Sequence, residues 1–160
     1  MRLCVISDTQ IPDRAPEIPS AVVKAIKEAD MVIHAGDFTS STVYYQIKAL
    51  KPIKAVLGNI DDEKLNGILK PKEIFMCEKH KVGLIHGTGK SEMVLANVRR
   101  QHDETFDLVI YGHAHTASCE KIGKTIYFNP GSPTDKIFAP YNSYGIIDIN
   151  SKISTKIVKL

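Results

Sequence analysis

Apolar runs of strand length alternate with amphipathic stretches in the first part of the chain, and this alternation limits the fold more than any other feature. Residues 3–7, 31–34 and 53–57 have the composition of buried strands, whereas residues 20–29 and 40–51 carry apolar side chains at helical spacing. Strands that alternate with helices form a parallel sheet with crossover helices. The first half is therefore predicted to be an α/β unit with the order βαβαβ.

The second half is predicted to begin with a hairpin and a helix and then to become almost entirely β. The predicted elements are strands at 73–77 and 82–86, a helix at 91–101, and strands at 108–111, 117–120, 125–128, 144–149 and 153–159. The last four runs are short, alternate in polarity and are separated by turn residues, which predicts a second, largely antiparallel sheet. With 160 residues and 43% hydrophobic content, the chain is expected to form a single domain over residues 1–160.

Composition excludes several classes of protein. The net charge of +3 is spread without a polybasic run, so electrostatics alone predicts no nucleic-acid or membrane partner. The three cysteines are scattered and lack CxxC spacing, which is typical of small apolar core residues in a reducing compartment. No window approaches the ~18 apolar residues of a membrane span. We therefore expect a cytoplasmic protein.

Metal-ligand residue types follow the predicted strands, where parallel strands of an α/β sheet gather functional groups at one rim. These candidate ligands are Asp8, Asp37, Asn59, His86, His113 and His115. Carboxylate, amide oxygen and imidazole together select divalent ions such as manganese, iron, cobalt, nickel or zinc. A carboxylate that bridges two such ions would complete a centre that activates water and holds a phosphoryl oxygen, and Asp37 is the candidate for that bridge.

Each candidate also has an ordinary structural explanation when it is taken alone. A single Asp after a strand is often a helix N-cap, Asn59 after Gly58 suits a turn, and a His-x-His pair is more often a polar surface feature. It is the ordered set that favours a metal site. His34, His80 and His102 are expected to be structural or surface residues.

Five short motifs, taken in order, resemble the motif series of the calcineurin-like metallophosphoesterases. They are Ser7-Asp8-Thr9-Gln10, His34-Ala35-Gly36-Asp37, Gly58-Asn59-Ile60-Asp61, His86-Gly87 and Gly112-His113-Ala114-His115. The short chain and the later Asn129-Pro130-Gly131-Ser132 resemble the small phosphodiesterase subfamily, to which a retromer subunit is also similar. The resemblance implies a four-layer αββα sandwich, with two mixed sheets flanked by helices and a centre for two divalent ions.

The resemblance also implies roles for individual residues. Asp8 and His115 would bind the first metal ion, Asp37 would bridge, and Asn59, His86 and His113 would bind the second; Asp37, Asn59 and His113 would be the catalytic set. Hydrolysis would proceed through a hydroxide that bridges the metal ions.

The chain departs from the family's motifs at two positions. Gln10 stands where the family usually has a histidine ligand, which shifts the expected metal toward manganese, with nickel, cobalt, iron or zinc as alternatives. Ile60 replaces a histidine that can protonate the leaving group in larger members, so good leaving groups such as aryl esters are expected, with Asp61 or His34 as weak proton donors.

A small phosphodiester is the expected substrate, with Arg14, Asp61 and Ser132 as candidate substrate-binding residues. Nucleic acid is not expected as a partner, because no basic, aromatic-lined extension is present. The alternative hypothesis is a catalytically weak protein-interaction scaffold with the same fold. The aromatic residues Phe138, Tyr141 and Tyr144 could form a dimer patch, line the site or fill the core.

Overall fold

The computed structural model describes residues 1–101 and 105–160, so the expectation for His102 lies outside the described residues. Its strands are β1 (Arg2–Ile6), β2 (Met31–His34), β3 (Ile53–Ala55), β4 (Lys72–Cys77), β5 (His80–Ile85), β6 (Leu108–Tyr111), β7 (Ser118–Ile122), β8 (Thr125–Asn129), β9 (Ser143–Ile149) and β10 (Ile153–Lys159). Its helices are α1 (Ser20–Glu28), α2 (Ser41–Leu50) and α3 (Val94–Gln101), with short 3₁₀ turns at Glu63–Leu65 and Ser91–Met93. None of these helices is long and apolar enough to cross a membrane.

The first sheet has the strand order β10-β9-β1-β2-β3. β1, β2 and β3 are parallel, as the βαβαβ pattern predicts, and β9 pairs antiparallel with both β1 and β10. The second sheet has the order β4-β5-β6-β8-β7, with parallel pairing from β5 through β6 to β8 and antiparallel strands at its two edges.

The prediction that the last four strands form their own antiparallel sheet is wrong. β7 and β8 join the second sheet, where β8 lies parallel to β6, whereas β9 and β10 extend the first sheet beside β1. The physical reason is that pairing covers the free edge of β1, which would otherwise expose unpaired backbone groups. Such a long-range choice of partner leaves no signal in local polarity.

The alternation of side chains along β1 builds two separate cores. Cys4 and Ile6 are fully buried against the apolar faces of α1 and α2. Leu3 and Val5 point to the other side of the sheet and pack against the second sheet. Residues on a strand that is buried on both faces are almost all apolar, which explains why this strand could be predicted from the sequence.

The same alternation in β6 completes the layers. Leu108 and Ile110 face the first sheet, whereas Val109 and Tyr111 pack beneath α3, which contributes Val98. The layers are therefore α1 and α2, the first sheet, the second sheet, and α3. This is the four-layer αββα sandwich that the resemblance implies.

Helix boundaries follow local signals closely. α2 begins at Ser41 because Ser40 caps it, with the Ser40 hydroxyl accepting a hydrogen bond from the Thr42 N–H at 3.2 Å. The predicted helix at 91–101 consists of the 3₁₀ turn followed by α3. The strand predicted at 53–57 ends at Ala55, after which Val56 makes only an isolated bridge to Lys70.

Candidate metal centre

The loops that follow β1, β2, β3, β5 and β6 meet at one end of the two sheets. They carry Asp8, Asp37, Asn59, His86, His113 and His115, all six of the ligands predicted from their positions after apolar runs. Most of these side chains are withdrawn from solvent: Asp8 is completely buried, and Asp37, His86 and His115 are nearly so.

Four of these six residues, and Gln10 beside them, lie in the left-handed region of the backbone map. The φ angles are +53° at Asp8, +43° at Gln10, +61° at Asp37, +73° at His113 and +55° at His115. Residues other than glycine rarely adopt such angles, which cost on the order of 1–3 kcal/mol each. Strain of this kind persists only where the surrounding structure enforces it, and it clusters at functional sites. The conformation thus marks these loops as a constrained site.

The Asp8 carboxylate faces two of the histidines. Its Oδ1 lies 3.3 Å from His115 Nε2 and 3.9 Å from His86 Nε2. Both of its oxygens accept hydrogen bonds from the backbone N–H of His113, at 3.2 and 3.0 Å. Asp8 therefore fixes the loop after β6 and remains directed at the centre.

Three potential ligand atoms converge on His86 Nε2, which is a fourth. This nitrogen lies 3.2 Å from Asn59 Oδ1, 3.2 Å from His113 Nδ1 and 3.3 Å from Asp37 Oδ2. The ligand atoms of Asp37, His86 and His113 all lie within 4.8 Å of one another. The structure thus brings together four residues of the predicted set on one side of the centre.

The remaining nitrogen of each histidine faces an acceptor outside the cluster. These partners are the Ala35 carbonyl for His86 Nδ1 at 2.7 Å, the Gly89 carbonyl for His113 Nε2 at 2.9 Å, and Asp135 Oδ2 for His115 Nδ1 at 2.5 Å. A carbonyl or carboxylate can only accept, so in the neutral rings these nitrogens carry the proton and donate it. His86 Nε2, His113 Nδ1 and His115 Nε2 are then the ring nitrogens that keep a lone pair.

This arrangement fits a divalent cation. In neutral rings the lone pairs of His86 and His113 face each other and the oxygens of Asp37 and Asn59, with no hydrogen atom between them. These four electron-rich atoms repel one another unless a cation or an added proton lies among them. Metal-binding histidines commonly donate their second N–H to a carbonyl or carboxylate in this way. Two imidazoles, a carboxylate and an amide oxygen suit the same divalent ions that the sequence predicts.

The pKa values of His86 and His115 are raised by the acceptors around their rings. Burial lowers the pKa of His86, but its hydrogen bond to Asp37 and the charges of Asp8 and Asp37 outweigh burial and raise it to about 9. Burial likewise opposes protonation of His115, yet Asp8 and Asp135 raise the pKa of that ring to about 9. A metal ion would have to displace these protons, so metal binding at neutral pH is expected to release them.

Asp61 organises the loops through hydrogen bonds from four backbone N–H groups. Its Oδ1 accepts from the N–H of Phe38 at 2.5 Å and of Thr39 at 3.3 Å, and its Oδ2 accepts from Gly58 at 2.6 Å and Asp37 at 3.3 Å. Burial raises the pKa of Asp61, although these backbone donors oppose the rise. Asp61 therefore holds the Asp37 and Asn59 loops together, and its substrate-binding and proton-donating roles stay predictions.

His34 cannot protonate a leaving group. Its ring is completely buried and stacked on Phe38, with centroids 3.5 Å apart. Its Nδ1 accepts from the Gly36 N–H at 3.2 Å, and its Nε2 faces the Thr9 hydroxyl at 3.1 Å. Burial holds the pKa of His34 well below its usual value, so the ring is a neutral structural element, as one of the two sequence expectations had it.

Ser132 also has a structural role, which corrects its prediction as a substrate contact. It is completely buried, and its hydroxyl donates to the Asp8 carbonyl at 2.7 Å and accepts from the Asp135 N–H at 3.0 Å. It supports the Asp8 loop from below and has no exposed surface to offer a ligand.

Asp135 is a site residue that the sequence reasoning missed. Besides its bond to His115, this fully buried carboxylate accepts from the backbone N–H groups of Ile137 at 2.9 Å, Phe138 at 3.1 Å and Ala139 at 3.2 Å. Burial alone would raise the pKa of Asp135. The hydrogen bonds and the charge of His115 outweigh burial, so the pKa lies below its usual value. In the sequence, only its position three residues after Ser132 could have indicated a role at the site. The segment around it otherwise has the composition of a plain turn.

Gln10 and Arg14 lie together beside His115. The Arg14 Nε donates to Gln10 Oε1 at 3.1 Å, and Gln10 Nε2 lies 3.2 Å from His115 Nε2. The predicted ligand Gln10 is therefore at the centre, but its oxygen faces Arg14.

An open pocket of about 420 Å³ lies over the centre. Its lining includes the predicted ligands Gln10, Asp37, Asn59, His113 and His115, together with Arg14, Ile60, Gly89, Ser91, Ala114 and Phe138. Phe138 is 66% exposed and stands edge-on to His115, with centroids 6.0 Å apart. Of the alternatives for the aromatic residues, Phe138 thus lines the site, whereas Tyr144 packs against the core of the first sheet.

Comparison with known proteins places this chain in a family. The sequence model of the calcineurin-like phosphoesterase superfamily domain matches residues 1–152. A probable metallophosphoesterase of Methanothermobacter thermautotrophicus is 39% identical over 136 residues, which are 84% of this chain and 78% of that protein. Among solved structures, an archaeal phosphodiesterase matches with a TM-score of 0.77, 26% identity and coverage of 100% of both chains. Vps29 of Entamoeba histolytica in complex with zinc shares the fold, with a TM-score of 0.76, 24% identity and 99% coverage of each chain.

Proposed function

Since the chain belongs to the calcineurin-like phosphoesterase superfamily, we propose that it is a divalent-metal-dependent phosphodiesterase of small diester substrates. The observation that carries this proposal is the convergence of His86 Nε2, His113 Nδ1, Asp37 Oδ2 and Asn59 Oδ1 with no donor among them in the neutral state. An archaeal phosphodiesterase of the same fold supports the choice of reaction.

The ligand roles follow from the contacts around each side chain. Asp37, Asn59, His86 and His113 would hold one ion, and Asp8 and His115 would hold a second, with manganese as the expected metal. Asp37 remains our candidate for a bridging ligand. Bound ions would supply an activated water and stabilise the charge that develops on the phosphoryl oxygens.

The remaining side chains position the substrate. Arg14 lines the pocket and keeps 25% of its side chain exposed, so the guanidinium N–H groups that are not bonded to Gln10 can orient phosphate oxygens. Ile60 and Phe138 give the pocket apolar walls, which favour a second ester group over the additional charge of a monoester. Among the described residues that line the pocket, the acidic side chain is Asp37, which we assign to the metal, and the nearby Asp61 is engaged by backbone N–H groups, so leaving groups of low pKa are expected to react fastest.

The test is hydrolysis of bis(p-nitrophenyl) phosphate by EDTA-treated protein that is then titrated with Mn²⁺. The proposal predicts metal-dependent cleavage, slower cleavage of the monoester p-nitrophenyl phosphate, and loss of activity in His86→Ala. A matched control is His80→Ala, which removes a histidine at the opposite end of β5, where the His80 ring faces the Asn150 carbonyl. Loss of activity in both variants, or in neither, would contradict the ligand assignment.

A second candidate function is that of a protein-interaction scaffold. The exposed apolar side chains of Ile60, Ile137 and Phe138 beside the centre favour it, since they are 43%, 68% and 66% exposed. Binding of Mn²⁺ without hydrolysis of any diester, with manganese, nickel, cobalt and zinc all tried, would support this candidate over the enzyme.

A further inference from the structure

The two sides of the metal centre offer very different sets of donors. On one side, Asp37, His86 and His113 bring their ligand atoms within 4.8 Å of one another, and Asn59 Oδ1 lies 3.2 Å from His86 Nε2. On the other side, the pair formed by Asp8 and His115 has Gln10 as its neighbour. Whether that side can hold an ion of comparable affinity therefore depends on which atom Gln10 presents.

The neighbouring arginine fixes the orientation of the Gln10 amide. Arg14 Nε lies 3.1 Å from the amide, and a guanidinium can only donate hydrogen bonds, so the atom that it faces must be the oxygen. The same two residues are joined a second time, because the Arg14 N–H donates to the Gln10 carbonyl at 2.8 Å. Arg14 is further held beside the buried Asp135, at 3.8 Å from its Oδ1. The amide is thus locked by a charged and well-anchored partner.

The locked amide turns its NH₂ group toward the metal centre. This group lies 3.2 Å from His115 Nε2, the nitrogen whose lone pair a metal ion would need. A flip of the amide would offer the oxygen to an ion but would set the NH₂ against the Arg14 N–H, donor against donor. The lost bond to a charged group corresponds to roughly ten- to a hundredfold in affinity.

We infer that the centre binds divalent ions unequally: one ion is held tightly by Asp37, Asn59, His86 and His113, whereas Gln10, locked by Arg14, keeps the Asp8–His115 position weak. This inference rests on the metal centre of the proposed function and deepens it. The NH₂ group of Gln10 is then available as a donor to a phosphate oxygen of the substrate, in the place where a strongly bound second ion would otherwise act.

The test measures metal binding directly. Metal-free protein is dialysed against rising Mn²⁺ concentrations, the bound metal is counted by mass spectrometry, and the electron paramagnetic resonance spectrum is recorded. We expect one tight ion per chain, a second that binds at least about tenfold more weakly, and at low occupancy the spectrum of an isolated ion. Gln10→Glu keeps the shape of the side chain but replaces NH₂ by oxygen, and it should strengthen the second ion and give the spectrum of a spin-coupled pair.

Gln46→Glu is the matched control, because it adds the same charge on the exposed face of α2. It should bind metal as the wild type does. Two ions of equal affinity in the wild type, or a Gln10→Glu variant that binds no more tightly than Gln46→Glu, would overturn the inference and leave the proposed function intact. Absence of any bound ion would instead refute the metal centre itself.

Discussion

Gly58 stands where the loop after β3 crosses the Asp37 loop, and it leaves no room for a side chain. A Cβ built on Gly58 would lie 2.0 Å from Asp37 Oδ1 and 2.4 Å from the Asp37 backbone nitrogen. The carboxylate could rotate away from a methyl group, but the backbone nitrogen could not. Gly58→Ala should therefore push apart the two loops that carry Asp37 and Asn59.

The magnitude follows from two opposing effects. Overpacking of this kind costs about 1–3 kcal/mol. Replacement of glycine by alanine also restricts the unfolded chain, which stabilises the fold by about 0.4–1 kcal/mol wherever the backbone tolerates it. Gly67 provides the matched control, because a Cβ there would meet no atom within 4 Å. We expect Gly67→Ala to be slightly more stable than the wild type and Gly58→Ala to be clearly less stable.

Urea denaturation of the metal-free proteins measures the stability difference, and titration with Mn²⁺ measures the effect on the site. Gly58→Ala should bind Mn²⁺ at least about tenfold more weakly, since a displacement of Asp37 removes a ligand and part of its hydrogen-bonded support. If Gly58→Ala and Gly67→Ala were equally stable and bound Mn²⁺ equally well, the described packing of the two loops would be wrong.

Three further predictions concern stability, support of the site and substrate choice. The metal-free protein should be most stable below pH 6.5 and should lose at least about 2 kcal/mol of unfolding free energy as the pH rises to about 9. The reason is that the raised pKa values of His86 and His115 make the folded state favour their protonated forms. Constant stability in urea denaturation across this pH range would refute the prediction. Asp135→Ala should cost about 2–4 kcal/mol by leaving the buried His115 ring N–H and the backbone N–H groups of Ile137, Phe138 and Ala139 without this acceptor, and unfolding at the wild-type urea concentration would count against that role. Phe138→Ala should lower kcat/KM for bis(p-nitrophenyl) phosphate relative to methyl p-nitrophenyl phosphate about two- to tenfold, whereas the equally exposed Ile137→Ala should leave the ratio unchanged; equal effects would exclude a specific ring contact.

Strands that are buried on both faces could be predicted from the sequence, because burial requires apolar residues along their whole length. β1 and β6 are buried on both faces, so their apolar runs identify them without knowledge of their partners. The partners of β9 were not predictable, because its alternating pattern suits any half-buried edge and the choice of β1 depends on which edge the rest of the fold leaves free. Local pattern therefore gave the strands, and only the three-dimensional arrangement gave the sheets.

Some residues of the site could likewise be predicted from the sequence, whereas the roles of others could not. Asp8, His86 and His113 were accessible to sequence reasoning because each follows an apolar run and has a side chain suited to metal binding. The roles of Asp61 and Asp135 were not, because both carboxylates act through backbone N–H groups that are distant in sequence or belong to irregular turns. A residue type indicates what a side chain can do, whereas its partners determine which of those capacities is used.

The central claim is that His86 Nε2, His113 Nδ1, Asp37 and Asn59 together form a binding site for a divalent ion. Anomalous X-ray diffraction from a crystal soaked in Mn²⁺ tests it most directly. The account predicts an anomalous peak within coordination distance of these two nitrogens, with His86 Nδ1 still bonded to the Ala35 carbonyl and His113 Nε2 to that of Gly89. An ion bound elsewhere, or through the opposite nitrogens of either ring, would contradict it.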